Sequence, residues 1–393
     1  MIFSLQRNLF ALYLLKFSHW FMLIMPIIIP FYMSHGLTMH EIFLIQAGYS
    51  TAMILLEIPT GYLSDVWGRK KTLLSGTILA FSGFLIYDFS TGFWGFLSAE
   101  LIMGLGASFV SGTDAAVLYD SLQYAQKKDT YLQHEGRITS IGNYSESIAG
   151  ICGGLLALVS LHFPFYIQTI VAFLGIPATL MIVNPPIETK KRKPGWKDIF
   201  QVVTQTLHTN KILRNYIFLS SCLGACTLTM AWFAQPYFKY VDLPLFLYGV
   251  MWTVLNIIVG VFSDRAYKIR EKFGDKKILI FTQISILSGF VFASLVNHFV
   301  GLLLIFVFYI MRGFVIVWKD NINKLSTSDS RATVLSVRNF VIRLLFSLLG
   351  PLWGWLSDTY NFQLSYLLCG IVYFVIVGYW TLKVWNMKSV EVL

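Results

Sequence analysis

Two long apolar segments of this chain are joined by the stretch Gly61-Tyr62-Leu63-Ser64-Asp65-Val66-Trp67-Gly68-Arg69-Lys70-Lys71. The flanking segments, 40–64 and 72–88, approach the length of about 20 residues with which a helix spans a bilayer. Within the stretch, an acid and three consecutive bases stand on either side of a glycine, a composition that favours a short polar turn. The stretch therefore predicts a turn between two spanning helices, with its basic end at the cytoplasmic surface.

The composition of the whole chain indicates a membrane protein. Its 393 residues are 56% hydrophobic and 16% aromatic, and only 13% are charged. A soluble globular domain carries about 25% charged residues, so an ordinary soluble enzyme and a disordered chain are both excluded. We predict an all-α polytopic membrane protein with twelve spanning helices. The twelve apolar runs are 8–33, 40–64, 72–88, 94–120, 138–160, 164–183, 213–237, 245–263, 277–296, 299–318, 332–356 and 363–383.

The basic residues predict the orientation of these helices. If the N-terminus is cytoplasmic, 25 of the 30 Lys and Arg residues fall on the cytoplasmic side and only Lys239 falls on the opposite side. Positive residues concentrate on the cytoplasmic side of membrane proteins. Both termini are therefore predicted to be cytoplasmic. Because the basic residues lie in short gaps between spans, nucleic-acid binding is not expected.

The chain divides into two similar halves. The polar segment 184–212, with an amphipathic piece after Asp198, separates a first six-span bundle, 1–183, from a second, 213–393. We expect this linker to lie along the anionic inner leaflet. The pattern Gly61-x-x-x-Asp65 recurs 199 residues later as Gly260-x-x-x-Asp264. Such matches predict two parallel repeats related by an axis along the membrane normal.

The opening stretch resembles the signature loop of the major facilitator superfamily, Gly-x-x-x-Asp-x-x-Gly-Arg-Lys/Arg, which joins the second and third helices. The resemblance covers the whole chain and implies two pseudo-symmetric six-helix bundles that rock about a central cavity. It also implies a conformational latch that stabilises the outward-facing state. The implied latch residues are Gly61, Asp65, Gly68, Arg69, Lys70 and the acidic partner Asp120, with Asp114 as a second candidate partner.

Each latch residue has a physical role that suits its type. Gly61 allows two helices to approach closely, and Gly68 permits a tight turn. Asp65 can favour the N-terminus of a facing helix. Arg69 can pair with an acid at the inner end of the fourth span. The same contacts also anchor the loop, so the latch and a structural role coincide here.

Other segments resemble particular groups within the superfamily. The segments Glu57-Ile58-Pro59-Thr60-Gly61 and Ser111–Leu122 resemble a bacterial branch of the superfamily that is rich in drug and metallophore exporters. Ala149-Gly150-Ile151-Cys152-Gly153-Gly154 is similar to the antiporter signature Gly-Pro-x-x-Gly-Gly, but its proline is missing. Glycine-rich helix packing is the alternative interpretation of this segment.

Ionisable residues inside predicted spans are costly, which makes them candidates for function. They are Lys16, His19, Glu57, Glu100, Asp114, Glu146, Arg312, Arg338 and Arg343. Four of them are candidates for proton coupling: Glu146, Asp114, Glu57 and His19. For each of the four, a structural hydrogen bond, ion pair or latch contact is the alternative role. The resemblance implies that helices one, four, seven and ten line the cavity.

Two arginines fall deep within predicted spans. Arg312 and Arg343 each follow about a dozen apolar residues, which places them near mid-bilayer at about 1.5 Å per residue. A guanidinium group is well suited to bind a carboxylate or a phosphate group. The two arginines therefore favour an anionic or zwitterionic substrate. Internal pairing with Glu57 or Glu146 is the alternative. The candidate substrate-binding residues are Lys16, Arg312, Arg343, Trp232, Tyr309 and Asn256.

These features predict a transporter. The seven histidines are scattered, no His-Glu-x-x-His or Gly-x-Ser-x-Gly motif occurs, and the four cysteines lie in apolar runs, so neither an enzyme nor a metal site is expected. We expect a monomeric secondary transporter of the bacterial inner membrane that needs no cofactor beyond the proton gradient. Its expected activity is proton-coupled export of a drug-like compound or a carboxylate metallophore. Proton-coupled uptake of an anionic nutrient and lipid flipping on the same fold are the alternatives.

Overall fold

A computed structural model describes residues 3–185, 210–326 and 331–387 of the chain. In these ranges the chain forms helices joined by short turns and no β-strand, so the protein is an all-α polytopic membrane protein. The first nine helices, α1–α9, are Leu5–Trp20, Ile28–Ser34, Met39–Trp67, Arg69–Phe89, Phe93–Val110, Thr113–Tyr124, Tyr131–Leu156, Phe163–Phe173 and Gly175–Met181. Helices α10–α14 are Lys211–Tyr240, Phe246–Ile286, Leu302–Leu325, Arg331–Thr359 and Phe362–Trp385.

Backbone contacts divide the chain into two compact units. Unit 1 comprises Met1–Leu37, Leu44–Lys193 and Leu245–Thr253, and unit 2 comprises Thr38–Phe43, Pro194–Pro244 and Val254–Leu393. Most of the predicted linker, residues 186–209, lies outside the described residues.

Nine helical stretches within the described ranges are long and apolar enough to cross a membrane. The longest of them, Phe246–Phe292, has 47 residues. It bends at Gly274, whose φ of 74° is not helical, and so contains two of the predicted spans. The left-handed conformation at this point is one that glycine adopts without steric cost.

The first predicted span, 8–33, is not the continuous helix that its apolar run predicts. Helix α1 ends at Trp20 and α2 begins at Ile28, with turns between them. Pro26 lies in this gap, where it has no N–H for a helical bond and its ring would clash with the preceding turn. Backbone polar groups must find protein partners inside a bilayer, and the side chain of Gln168 provides one. Its Oε1 accepts a hydrogen bond from Leu23 N at 2.8 Å.

A glycine allows the broken segment to pack closely. A Cβ on Gly153 would collide with the carbonyl oxygen of Leu23. A Cβ on Gly154 would lie 3.0 Å from the Cα of Gly249, which also belongs to unit 1. The glycine-rich segment of the fifth predicted span is therefore closely packed, as the packing interpretation of this segment expects.

The fourth predicted span, 94–120, is also interrupted. Helix α5 ends at Val110 and α6 begins at Thr113, because Gly112 adopts a left-handed conformation with φ of 75°. Asp114 thus lies in the first turn of a new helix. The apolar run 94–120 predicts one continuous helix, whereas the structure interrupts it just before Asp114.

Unit 2 is built around α10, the most enclosed of the candidate spans, with 72% of its apolar window buried. Aromatic rings from neighbouring helices pack against it. The Tyr237 ring lies 5.6 Å from that of Tyr366, which in turn lies 5.0 Å from the ring of Phe290. Contacts of this kind stabilise helix association in lipid, where the hydrophobic effect between helices is absent.

We predict that Gln168→Leu lowers the thermal unfolding temperature of the purified protein. The substitution leaves the Leu23 N–H without its acceptor, and a buried unsatisfied donor costs about 1–3 kcal/mol. Thermal unfolding in detergent, followed by tryptophan fluorescence, measures the effect. Gln133→Leu on the exposed side of α7 is the matched control and should change the unfolding temperature little. Equal unfolding temperatures for both variants would contradict the role assigned to Gln168.

Candidate functional site

The loop between α3 and α4 is held by an ion pair. Gly68 turns the chain with φ of 92° and directly precedes α4. Arg69, the first residue of α4, places its Nε 3.3 Å from Asp120 Oδ2 on α6. Its Nη1 also donates to Ser64 Oγ at 3.3 Å. The turn is thereby tied to both the preceding helix and the end of the fourth span.

The next residue connects the loop to the end of α9. Lys70 Nζ donates to the carbonyl of Leu180 at 2.6 Å, and its backbone N donates to Asn184 Oδ1 at 3.2 Å. A Cβ on Gly61 would meet nothing within 4 Å among the described residues, so close packing does not require this glycine. The side chain of Asp65 lies outside the described part of the structure.

The second half contains a related network with a reversed charge. Gly274-Asp275-Lys276-Lys277 corresponds to Gly68-Arg69-Lys70-Lys71, with an acid in place of the arginine. Arg270 binds Asp275 through two hydrogen bonds, of 2.7 and 3.0 Å. Asp320 lies 3.4 Å from Arg270 and 3.0 Å from Lys324. Here the arginine precedes the glycine and pairs with both acids.

A second cluster of charges lies deeper, in the cytoplasmic half of unit 1. We define the inner charge cluster as Lys16 on α1, Asp114 on α6 and Glu135 on α7, all half-buried. Lys16 lies within electrostatic range of both carboxyl groups. Its Nζ also lies 4.5 Å from the ring centre of Trp20. The cluster thus combines one cation with two acids.

The helix ends help to explain these positions. Asp114 lies in the first turn of α6, and its Oδ1 accepts a hydrogen bond from Ala115 N at 2.8 Å. Lys16 lies toward the C-terminal end of α1. Acids are stabilised near helix N-termini and bases near helix C-termini. The break in the fourth span thus creates a favourable site for the Asp114 carboxylate.

Glu135 is positioned to hold a proton. Burial raises the pKa of this carboxyl and the charge of Asp114 raises it further, whereas Lys16 lowers it. Nearby, Tyr13 Oη and His134 Nδ1 form a hydrogen bond of 2.9 Å between α1 and α7. Burial lowers the pKa of His134, followed by the charges of Arg137 and Lys127.

The remaining proton-coupling candidates lie on α1, α3 and α7. His19 is on α1 and lies in the field of Lys16, and its Nε2 is buried without a hydrogen-bond partner in the described ranges. Glu57 is half-buried on α3, and Glu146 is half-buried on α7.

The candidate substrate residues of unit 2 are spread over four helices. Tyr309 is buried, and the guanidinium carbon of Arg312 lies 5.4 Å from its ring centre. Arg312 forms no ion pair within the described residues of unit 2, and its alternative pairing with Glu57 or Glu146 of unit 1 stays a prediction. The other three, all half-buried, are Trp232 on α10, Asn256 on α11 and Arg343 on α13.

Two residues that the structure makes candidates for function are not identified as candidates from the sequence. Glu135 lies just outside the predicted fifth span, where a charged residue needs no explanation. Glu100 lies among the ionisable span residues but is not selected as a candidate. It is 5% exposed and accepts a hydrogen bond from Tyr87 Oη at 2.6 Å. Its isolation in the apolar run of α5 is the signal that identifies it.

Known proteins place these observations in a family. The profile of the Major Facilitator Superfamily matches residues 9–319. The chain belongs to this superfamily. An uncharacterized MFS-type transporter of Methanocaldococcus jannaschii is 26% identical over 290 residues, which cover 70% of this chain and 72% of that protein. The multidrug resistance protein MdtG of Proteus mirabilis is 26% identical over 274 residues, which cover 67% of this chain and 66% of that protein.

Solved structures share the fold. A crystal structure of a variant of the nucleoside transporter NupG superposes with a TM-score of 0.82 at 16% identity, covering 98% of this chain and 100% of that chain. At this identity the likeness concerns the fold alone. The protein is therefore a membrane transporter of this superfamily rather than an enzyme, and it is a multi-pass protein of the bacterial inner membrane. Transporters of this superfamily take small-molecule substrates within the membrane.

We predict that Glu135→Gln stabilises the protein, and more so near pH 7 than near about pH 4. A carboxyl whose pKa is raised by folding binds its proton more tightly in the folded state. Ionised Glu135 therefore lowers the free energy of unfolding. This loss of stability begins as the pH rises through the pKa of Glu135 in the unfolded state and is complete above its pKa in the folded state. The glutamine removes this cost, so the unfolding temperature should rise at neutral pH.

Thermal unfolding across this pH range measures the effect. Glu271→Gln, at an exposed carboxyl on α11, is the matched control. A pH-independent difference between Glu135→Gln and the wild type would contradict the burial and charge effects assigned to Glu135.

Proposed function

We propose that this transporter exports a small organic molecule in exchange for protons by alternating access. The observation that supports this proposal is the inner charge cluster of Lys16, Asp114 and Glu135. It places two carboxyl groups and one ammonium in the cytoplasmic half of unit 1, on helices corresponding to spans one, four and five. Lys16 and Asp114 lie within predicted spans, where charged groups are costly unless they pair or serve a function.

The cluster can exchange one proton at modest cost. With both carboxyl groups ionised, the three groups carry a net negative charge, and protonation of Glu135 makes the set neutral. A cationic substrate can replace the proton as the partner of the second carboxylate. Substrate and proton would then compete for the same carboxyl groups, which is the requirement for antiport.

A carboxylate on the substrate would find a partner in unit 2. The Arg312 guanidinium is held over the Tyr309 ring and has no acidic partner among the residues described. A guanidinium binds carboxylates with two parallel hydrogen bonds. The guanidinium of Arg312 therefore favours a zwitterionic or carboxylate-bearing drug-like molecule, including a metallophore, as the substrate class.

The relatives leave the direction of transport open. The name of the multidrug resistance protein MdtG favours export, whereas that of the nucleoside transporter NupG equally allows uptake. Lipid flipping is the third alternative. An assay with protein of known orientation in the membrane distinguishes the three.

We predict that substrate-dependent proton movement is abolished by Asp114→Asn. Purified protein is reconstituted in liposomes with an internal pH dye and challenged with ethidium, tetracycline, norfloxacin and citrate-type chelators. In the wild type, one of these classes should move protons in the opposite direction. The asparagine leaves Lys16 and Glu135 as a neutral pair that needs neither a proton nor a cationic substrate to balance it, so proton movement should fall to the level of empty liposomes.

Asp129→Asn, at an exposed carboxyl between α6 and α7, is the matched control and should transport normally. Proton movement in the same direction as the substrate would replace export with uptake. Substrate movement without protons would contradict the coupling, and movement of labelled phospholipid alone would favour the flippase.

We also propose that Arg69 and Asp120 form the latch implied by the signature loop. Their side chains are 24% and 17% exposed, so the pair contributes at most about 1 kcal/mol to stability. An effect on transport far larger than the effect on stability would therefore reflect conformational control. The prediction is that Asp120→Asn reduces the transport rate at least tenfold with little change in unfolding temperature.

Exchanging the two charges in the double variant Arg69→Asp/Asp120→Arg should restore part of this rate. Asp320→Asn is the matched control in unit 2, where Arg270 keeps its bidentate partner Asp275. Normal transport by Asp120→Asn would exclude the latch.

A further inference from the structure

A second polar cluster lies in the opposite half of unit 1. We define the outer carboxyl cluster as Glu100 on α5 with Tyr32 on α2, Gln46 on α3 and Tyr87 on α4. Glu100 Oε1 accepts hydrogen bonds from Tyr87 Oη at 2.6 Å, Gln46 Nε2 at 2.9 Å and Tyr32 Oη at 3.4 Å. The two tyrosine hydroxyl groups are also within hydrogen-bond distance of each other, so their two protons are shared among three contacts. Three helices thus direct donors at one carboxyl oxygen of a fourth helix.

No cation balances this carboxyl group. Glu100 forms no ion pair with a base among the described residues, and all three of its donors are neutral. All four side chains are buried, with Tyr32 and Tyr87 at 0% and 1% exposure, respectively. An uncompensated carboxylate within a membrane span is costly, whereas three directed donors reduce that cost. Apolar packing alone would favour the neutral carboxylic acid, and an ion pair would favour the carboxylate. The environment of Glu100 lies between these two, so its neutral and anionic forms are closer in free energy.

The position of the cluster places it apart from the inner charge cluster. Glu100 is seven residues from the start of α5 at Phe93, about 10 Å from the outer end of the span. Asp114 follows 14 residues later, about 21 Å further along the fourth span at helical rise. One span therefore carries a carboxyl group in each half of the membrane.

We propose that Glu100 is a second proton-binding site, which takes up its proton from the outer side of the membrane. The inference rests on the proposed proton coupling and adds to it the site of proton entry. In the proton-binding step, an external proton adds to Oε2 of the Glu100 carboxylate, because Oε1 is occupied by the three donors. The carboxylic acid loses that proton again later in the cycle, so the site is unchanged after each turnover.

Titratable groups extend from the cluster toward the outer surface. Phe96 lies between, with its ring 5.4 Å from that of Tyr87 and 5.2 Å from that of His35. The rings of His35 and His162 lie 4.8 Å apart. Burial lowers the pKa of His162 and so does His35, whereas Asp88 raises it. Asp88 adjoins Tyr87 in the chain, and its Oδ2 accepts from Thr169 Oγ1 at 2.8 Å.

Infrared difference spectroscopy tests the proton-binding site without a substrate. Purified wild-type protein and Glu100→Gln are taken stepwise from acid to alkaline pH, and the carboxylic acid C=O band is recorded in H2O and D2O. The proposal expects one titrating band in a weakly polar environment that is missing from Glu100→Gln. Glu41→Gln, at a half-buried carboxyl at the outer end of α3, should retain that band. A spectrum of Glu100→Gln identical to that of the wild type overturns the proposal.

Transport then separates this inference from the proposed function. With ethidium, tetracycline and norfloxacin as probes, Glu100→Gln should lose proton-driven accumulation and keep substrate exchange without a gradient. If the wild type moves no protons with any probe, the proposed coupling fails. If the wild type moves protons and Glu100→Gln moves them equally, only the role of Glu100 fails.

A purely structural role for Glu100 is tested by a milder change. Tyr87→Phe removes the shortest hydrogen bond to the carboxylate and preserves the aromatic packing. Losing a donor to the anion favours the protonated form, so the pH profile of transport should shift to higher pH. A lower rate at every pH with an unshifted profile would show that the cluster only stabilises the fold. If Glu100→Gln does not fold, Tyr87→Phe still tests whether Glu100 binds a proton during transport.

Discussion

The bilayer requires every backbone and charged group within it to find a partner inside the protein, and this constraint explains the unusual features of unit 1. The break between Trp20 and Ile28 frees backbone groups, and the side chain of Gln168 satisfies one of them. The break at Gly112 creates a helix N-terminus, and Asp114 lies in its first turn. Gln168 thus serves the break in the first span, and Asp114 lies at the break in the fourth.

The sequence predicts the architecture of this protein well because its signals are long. Apolar runs, the distribution of Lys and Arg and the signature loop at Gly61–Lys71 each extend over many residues, and together they predict the superfamily that the family profile confirms. Helix breaks depend on single residues, so the runs 8–33 and 94–120 are indistinguishable from continuous helices. Pro26 and Gly112 are compatible with either outcome until the neighbouring side chains are known.

The candidate sites are less predictable because they depend on which residues meet across the bundle. Asp114 and Lys16 stand out as charges within apolar runs, but Glu135 lies in a polar segment and becomes notable only beside them. Glu100 is visible in the sequence, whereas its partners Tyr32, Gln46 and Tyr87 come from three other helices. For Arg312, the sequence suggests a substrate carboxylate or an internal acid as the partner, whereas the neighbouring ring of Tyr309 comes from the structure alone.

The bond between Leu23 and Gln168 also has a consequence for biosynthesis. It joins residues 145 positions apart, so the acceptor does not exist when the first span leaves the ribosome. At about 5–20 residues per second, the Leu23 amide waits about 7–30 s for its partner. During this interval the broken span needs water, lipid headgroups or the insertion machinery to satisfy its backbone. The N-terminal span is thus the first to be synthesised but completes its structure only after the sixth has entered the membrane.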